Sequence, residues 1–252
     1  MAYPFPETDH SIIYPRTFLK DVAVYVSFHT DARLNDLKEC INSYFLGEFN
    51  ITEDSNIEIE KINTAKGLYI ASSDSLVIFN FKNSCVYIKV KYPAYKSFAN
   101  LSSLLPKIKG YLKMYDGSII DNVRLVKYNE LSFDCQDDSF PIKEIMSSIF
   151  SKHLMKEAKS ETYDLSKLAR WERCMDLEDE SSATEVEITY GYARNDLDAR
   201  KGVLTLKTAV ECKSVAGIES LDEIMQSSNR LVDRAFHWCV TDEIINKMKS
   251  HE

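Results

Sequence analysis

The histidines and cysteines are the residues of this chain best suited to nucleophilic or metal chemistry, yet their spacing indicates neither. There are five histidines, and no Gly-x-Ser-x-Gly nucleophile elbow occurs in the sequence. None of the cysteines forms a Cys-x-x-Cys spacing, and the one close histidine is His237 beside Cys239. Scattered cysteines on apolar-patterned segments predict reduced, buried thiols in a cytoplasmic protein. The six are Cys40, Cys85, Cys135, Cys174, Cys212 and Cys239.

Phosphate-binding loops and carboxylate metal sites are equally hard to find. Neither Gly-x-Gly-x-x-Gly nor Gly-x-x-x-x-Gly-Lys occurs, so no nucleotide cofactor is expected by those routes. The run Glu178-Asp179-Glu180 is typical of a solvated loop. We therefore predict no catalytic, cofactor-binding or metal-ligating residues and lean against an enzyme. An enzyme whose site is assembled from residues distant in sequence remains an alternative.

One segment has an unusual charge. Between Ser75 and Tyr115 there is no Asp or Glu, whereas seven lysines occur there. Lysines that alternate with aromatic residues on a sheet can neutralise phosphates while the rings stack on bases. The candidate surface for nucleic acid or another partner is therefore formed by Lys82, Tyr87, Lys89, Lys91, Tyr92 and Lys96.

Two further interpretations of this lysine-rich segment stand beside nucleic-acid binding. Lysines on an exposed strand also keep a sheet edge soluble, and this is the interpretation that we favour. A net charge of −8 disfavours extensive wrapping of nucleic acid. The stretch from Glu157 to Glu187 holds ten acidic and four basic residues, so it could attract the lysines within one chain or between subunits.

The elements that position these residues follow from hydrophobic periodicity. Alternation predicts strands at 22–28, 57–59, 68–70, 76–81, 85–92, 123–133, 186–192 and 203–212. Helical spacing predicts helices at 31–46, 98–115 and 142–154, and a long final helix from a Ser220–Glu223 capping box that continues to Ile245. Pro106 predicts either a kink or the start of a second helix. Residues 157–185 show no clear pattern.

This order predicts an α+β protein with antiparallel sheets and helices packed on one face. We expect an extended N-terminal arm at 1–19 and two halves of related size, 20–138 and 139–252, that share a core. The N-terminus has no basic and apolar signal pattern, and no apolar run reaches the length of a membrane span. We therefore expect a cytoplasmic protein with no membrane partner.

Three short stretches resemble a sporadically distributed, uncharacterised bacterial protein family of about this length. They are Ile13-Tyr14-Pro15 before the first strand, Leu125 to Leu131 in the long strand, and Leu231 to Ile245 at the end. The family usually has Arg where this chain has Lys127. The resemblance implies an α+β fold and occurrence at mobile or defence-related loci, and it implies no reaction and no site residues.

The leading hypothesis is a non-enzymatic binding or protein-interaction subunit, such as an accessory or sensor component of a bacterial multi-protein, defence-type system. A protein partner or self-association is expected, and no cofactor. The alternative is a single-stranded nucleic-acid-binding protein that uses the Lys/Tyr face of residues 82–113.

Overall fold

The computed structural model describes residues 3–8, 14, 17–29, 57–59, 68–72, 76–81, 84–114, 119–134, 141–159, 168–179, 182–194, 200–213 and 217–250. The helix predicted at 31–46, the candidate Lys82, and Cys40 and Cys135 lie outside these residues. The described strands are β1 (Leu19–His29), β2 (Ile57–Ile59), β3 (Leu68–Ser72), β4 (Val77–Phe81), β5 (Cys85–Lys91), β6 (Ile119–Asp134), β7 (Arg170–Asp179), β8 (Thr184–Arg194) and β9 (Lys201–Lys213).

All nine strands lie in one antiparallel sheet with the order β2-β3-β4-β5-β1-β6-β9-β8-β7. The two groups of strands, β1–β5 and β6–β9, have the same pairing scheme. β1 pairs with the last strand of the meander that follows it, β5, and β6 pairs in the same way with β9. The pairing of β1 with β6 joins the two groups of strands into one sheet.

The helices are α1 (Phe98–Ser102), α2 (Leu105–Lys113), α3 (Ile142–Ile149), α4 (Lys152–Lys159), α5 (Leu221–Cys239) and α6 (Asp242–Lys249), with a 3-10 turn at Ile218–Ser220 before α5. Buried side chains from each of the described helices join one hydrophobic core with Val22, Val24 and Val26 of β1, which are all fully buried. The α+β class with helices on one face of the sheet is thereby confirmed.

Alternation along β1 explains why the sheet has two different faces. Val22, Val24 and Val26 point into the core, whereas Tyr25 between them is 36% exposed. A strand of period two buries one set of side chains and presents the other, as antiparallel sheets with one solvated face do. Within the described residues the helices therefore cover one face of the sheet, and we call the other, on which no described helix packs, the open face.

The helical segments end earlier than their periodicity predicts. Pro106 lies in the first turn of α2, so the second of the two alternatives for this segment is confirmed. The single helices predicted over 142–154 and 221–245 are wrong, because Phe150 and Val240 are extended and form a bridge with each other. Backbone hydrogen bonds from Ser151 N to Cys239 O (2.8 Å) and from Thr241 N to Ile149 O (2.9 Å) hold the two breaks together.

Two other sequence predictions need correction. Residues 170–179 form β7, a strand that the acidic composition of this region concealed. The predicted capping box at Ser220 is also wrong, because Ser220 has helical backbone angles after the 3-10 turn and its side chain makes no capping hydrogen bond. In this C-terminal region Thr241, before α6, makes a side-chain cap, since its hydroxyl accepts from Ile244 N at 3.4 Å.

The described part of the N-terminal arm is docked on α5. Phe5 is buried, with its ring stacked on Tyr3 and edge-on to Trp238. The Arg234 guanidinium donates from Nη2 to the Phe5 carbonyl (2.9 Å) and from Nε to the Pro6 carbonyl (3.0 Å). The arm therefore packs against the helix layer.

Candidate interaction surface

The open face is the set of side chains that alternate with the core positions on β5, β1, β6, β9, β8 and β7. At its centre Ala23, Val126 and Ala209, which are 5%, 9% and 1% exposed, form a small buried cluster with the half-buried Tyr87, separate from the main core. The rings of Tyr25 and Tyr87 lie 4.7 Å apart beside this cluster. The buried residues of the described helices belong to the other cluster, so none of them packs here. The open face thus has an apolar and aromatic centre.

The candidate lysine and tyrosine residues are divided by the structure. Tyr87, Lys89 and Lys91 share the open face of β5, where they alternate with buried Val86, Ile88 and Val90. Tyr92 is 51% exposed and lies beyond the end of β5, and Lys96 lies in the turn before α1, where its backbone N–H donates to Asn100 Oδ1 (2.9 Å). Three of the five described candidates are therefore brought together on one strand face. The favoured interpretation, that these lysines keep a sheet edge soluble, is wrong, because β5 pairs with β4 on one side and β1 on the other.

Most cations on the open face are held by neighbouring carboxylates. Arg124 donates to Glu187 (2.6 Å) and Glu211 (3.1 Å), and Lys207 also donates to Glu187 (2.5 Å). Lys89 pairs with Asp21 (2.8 Å). Burial raises the pKa of the Glu187 carboxyl, but hydrogen bonds from Lys207 and Arg124 outweigh burial, so the pKa is lowered overall. Ion pairs therefore tie β6 to β9 and β8, and β1 to β5, across this face.

The far end of the open face is acidic. β7 presents Glu172, Asp176 and Glu178 there, with Cys174 among them and Arg170 paired to Glu172 at 3.0 Å, so three carboxylates face one cation. Cys174 is exposed, which contradicts the prediction that the cysteines are buried; Cys85 and Cys212 are half-buried, and Cys239 is fully buried. The four described cysteines are free thiols. Burial raises the pKa of the Cys239 thiol well above its ordinary value, so this thiol is poorly nucleophilic.

One group of possible metal-ligand atoms occurs within the described residues. Cys174, Asp176 and Glu187 place one such atom each within 4.8 Å of one another. Glu187 is already engaged by Arg124 and Lys207, and the other two residues are exposed. This group resembles the rest of the charged rim rather than a metal centre.

The covered face carries a polar cluster that sequence reasoning missed. Lys127 of β6 points into the helix layer, where its Nζ donates to Asp233 of α5 (2.6 Å) and lies 5.8 Å from the centre of the Tyr95 ring. Asn229 also donates to Asp233 (3.2 Å). Burial by itself lowers the pKa of the Lys127 ammonium, but the Tyr95 hydroxyl and the Asp233 carboxylate outweigh it, so the pKa is raised. For Tyr95 burial acts in the other direction and raises the pKa of the hydroxyl. This cluster clamps β6 to α5.

Two concavities in the described structure lie away from the open face. One of about 20 Å³ lies among apolar side chains that include Phe18, Phe150 and Phe236, and it is too small for anything larger than a water molecule. The other is a shallow cleft of about 480 Å³ lined by Lys152, His153, Lys156 and Trp238, with the His153 and Trp238 rings stacked at 4.9 Å. Neither contains an assembled nucleophile, base and oxyanion donor.

The sequence missed Tyr25, Arg124 and Glu187 as parts of a surface because their neighbours come from other strands. Tyr25 alternates with buried valines on β1, so its exposure could be predicted. The pairing of Arg124 with Glu187 joins residues 63 positions apart, and no local pattern indicates it.

No family model matches the chain, and no curated protein matches it either. Among solved structures, a rolling circle replication initiator protein from Geobacillus stearothermophilus aligns over 91% of this chain and 94% of its own, with 9% identity and a TM-score of 0.27. A structure described as KH domains aligns over 89% of this chain and 63% of its own, with 8% identity and a TM-score of 0.20. TM-scores this low carry no argument about fold or function. No helix in the described parts of the chain is long and apolar enough to span a membrane.

Proposed function

We propose that this chain is a non-enzymatic binding protein that docks a protein partner on the open face of its sheet. The observation that carries the proposal is the pair of tyrosines Tyr25, which is 36% exposed, and Tyr87, which lies beside the buried cluster of Ala23, Val126 and Ala209 on the face opposite the helices. Protein interfaces commonly combine an apolar, aromatic centre with a charged rim. The open face has this arrangement, since carboxylates and cations surround its centre.

The pairing of the cations favours a protein partner over nucleic acid. Phosphate binding depends on cations that are free to replace counterions. Lys89, Arg124 and Lys207 each have a carboxylate partner on this face, and those carboxylates would repel a phosphate backbone. A protein surface can instead complement both signs of charge.

We further propose that the chain works in the cytoplasm, as an accessory or sensor subunit of a bacterial multi-protein system. This part of the proposal rests on the family resemblance of the sequence and on the scattered free cysteines.

Site-specific photo-crosslinking tests whether a protein binds the open face, and it does so without knowledge of the partner's identity. A benzophenone amino acid at Tyr25 is compared with the same group at Lys143, an exposed residue of α3 on the helix side. In the cells that naturally produce the protein, we expect discrete crosslinked products from position 25 and none from position 143. Equal crosslinking from both positions, or none from position 25, would contradict the proposal.

A further inference from the structure

We infer that the occupant of the open face is a second copy of this chain, bound face to face about a two-fold axis parallel to the strands. This inference rests on the proposed docking function of the open face. The order of charges along the rows of residues that cross the sheet supports the inference.

The register of the strands defines these rows. Successive Cα partners on β5, β1, β6, β9, β8 and β7 give a central row of Lys89, Ala23, Val126, Ala209, Glu187 and Asp176. The row begins with a cation, has three small apolar residues in the middle and ends with two carboxylates.

The neighbouring rows show a similar polarity. On one side the order is Tyr87, Tyr25, Arg124, Glu211, Glu185 and Glu178, and on the other it is Lys91, Asp21, Tyr128, Lys207, Thr189 and Cys174. The first of these rows ends in three consecutive carboxylates, and the second starts with a lysine. The β5 end of the face is therefore basic and the β7 end is acidic.

A two-fold axis parallel to the strands reverses the strand order in the second copy, and each row keeps its position along the strand direction. β5 of one copy then lies over β7 of the other, and β6 lies over β9. In the central row this places Lys89 opposite Asp176 and Val126 opposite Ala209. In the next row it places Arg124 opposite Glu211. Opposite charges meet at both ends of the central row, and the pair Val126 and Ala209 meets its own copy at the axis, while Ala23 faces Glu187. Packed sheets keep their strand directions within about 30° of each other, so the match is closest near the axis.

The other two-fold axis in this plane runs across the strands and has the opposite effect. It superimposes each strand on its own copy and reverses the order of the rows. With the axis along the central row, Lys89 would face Lys89 and Asp176 would face Asp176. Like charges opposed across an interface disfavour association, so the charge pattern selects the axis parallel to the strands.

The two ends of the face cannot neutralise each other within one chain. Five strand spacings of about 4.8 Å separate β5 from β7 by roughly 24 Å, which is about three times the screening length of about 8 Å at physiological salt. The ion pairs of Lys89, Lys109 and Lys113 are made with Asp21, Asp222 and Glu219, outside the acidic stretch of 157–187. Complementation between two copies remains the way to bring the two ends together.

The size of the face predicts a reversible dimer. Its width of roughly 24 Å and the length of a seven-residue strand, about 23 Å, give on the order of 550 Å² per copy. A standard stable interface buries about 800 Å² per partner, so association should depend on concentration.

Charge reversal tests the inference by sedimentation velocity of the purified full chain. One variant carries Lys89→Glu with Lys91→Glu, and a second carries Glu172→Lys with Asp176→Lys. We expect the wild type to dimerise as concentration rises and each variant alone to dimerise at least tenfold more weakly. An equimolar mixture of the two variants should recover the dimer, because both ends of the interface are then again paired with opposite charges.

The control variant carries Lys152→Glu with Lys156→Glu, the same change in charge on exposed residues of α4. It should dimerise like the wild type. A wild type that stays monomeric at all accessible concentrations, or a mixture that fails to recover the dimer, would overturn the inference. If the wild type is monomeric while the Tyr25 crosslinker still captures a different protein, the dimer alone is wrong. If position 25 captures nothing, the docking function is wrong as well.

Discussion

Arg124 and Lys127 lie three residues apart on β6 and point to opposite faces of the sheet. The Lys127 side chain is 12% exposed and makes its ion pair with Asp233 between the sheet and α5. The Arg124 side chain is 29% exposed and shares two carboxylates with neighbouring strands. The covered face therefore uses one charge pair inside an apolar layer, whereas the open face spreads its charges over a network in contact with water.

This difference separates stability from binding. A charge pair inside a packed layer fixes how two elements meet, and loss of one partner leaves an uncompensated buried charge. An exposed network contributes little to folding because water and salt screen it. Substitutions on the covered face should therefore change the free energy of unfolding, and those on the open face should mainly change association.

The largest expected effect is that of Lys127→Met. It leaves the Asp233 carboxylate without its cation, so we expect a loss of about 3 kcal/mol in the free energy of unfolding by denaturant titration, at the low end for buried pairs because the Asp233 side chain is 29% exposed. The double variant Lys127→Met with Asp233→Leu removes both charges and should recover most of that loss. A double variant as unstable as the single one would show that the cluster contributes packing instead of charge pairing.

Met225→Ala should have an effect of similar size. Met225 of α5 is fully buried against the sheet, so a large-to-small change should cost about 2–5 kcal/mol. Leu231→Ala on the same helix is the matched control, because Leu231 is half-buried and should cost less. Equal losses at the two positions would mean that the outer side of α5 is also packed.

The pH dependence of stability should report on the open-face network. The pKa of Glu187 lies below its ordinary value of 4.5 in the folded chain. Its contribution is therefore fully present above that ordinary value and is lost as the pH falls through the lower folded pKa. Glu187→Gln should flatten the acid limb of the stability curve, measured by unfolding at a series of pH values. An unchanged acid limb would mean that the network does not stabilise the folded state.

Arg124→Gln should cost about 1 kcal/mol or less, since Arg124 is partly exposed and its network is screened. The loss should shrink as salt is added, whereas the loss from Lys127→Met should change little. Chemical denaturation with urea at two salt concentrations compares the two variants. A large, salt-independent loss at Arg124 would remove the distinction between the faces.

The smallest expected effect is that of Lys89→Ala with Lys91→Ala on nucleic-acid binding. We expect no binding of mixed single-stranded DNA or RNA at low salt, in gel-shift assays, by either the wild type or the variant. Micromolar binding by the wild type that the double substitution abolishes would establish the nucleic-acid alternative. Tyr87→Ala would then cost about 1–3 kcal/mol of binding energy if a base stacks on that ring.

The sequence predicts most of the sheet because its strands alternate strictly. Val22, Val24 and Val26 locate β1, and the lysines between buried residues locate β5. β7 was missed because Arg173 interrupts the alternation of Trp171, Met175 and Leu177. The helix breaks at Phe150 and Val240 were missed because each depends on the other through a bridge between distant segments.

The candidate surface could be predicted in part, for a similar reason. Tyr87, Lys89 and Lys91 share a face by local alternation alone. The partners that neutralise the cations, such as Glu187 for Arg124, depend on strand order and register across the sheet. The burial of Lys127 also depends on which face α5 covers, and a lysine by its type would be predicted to be exposed.

The central claim, that the open face is a docking surface, is tested most directly by hydroxyl-radical footprinting of two tyrosines in the same chain. Tyr25 lies on the open face at 36% exposure, and Tyr92 lies beyond it at 51% exposure. Oxidation of each ring is measured by mass spectrometry in dilute purified protein and in the cells that naturally produce it. We predict that the cellular environment protects Tyr25 strongly while the reactivity of Tyr92 stays close to its dilute value. Equal reactivity of Tyr25 in both settings would contradict the claim.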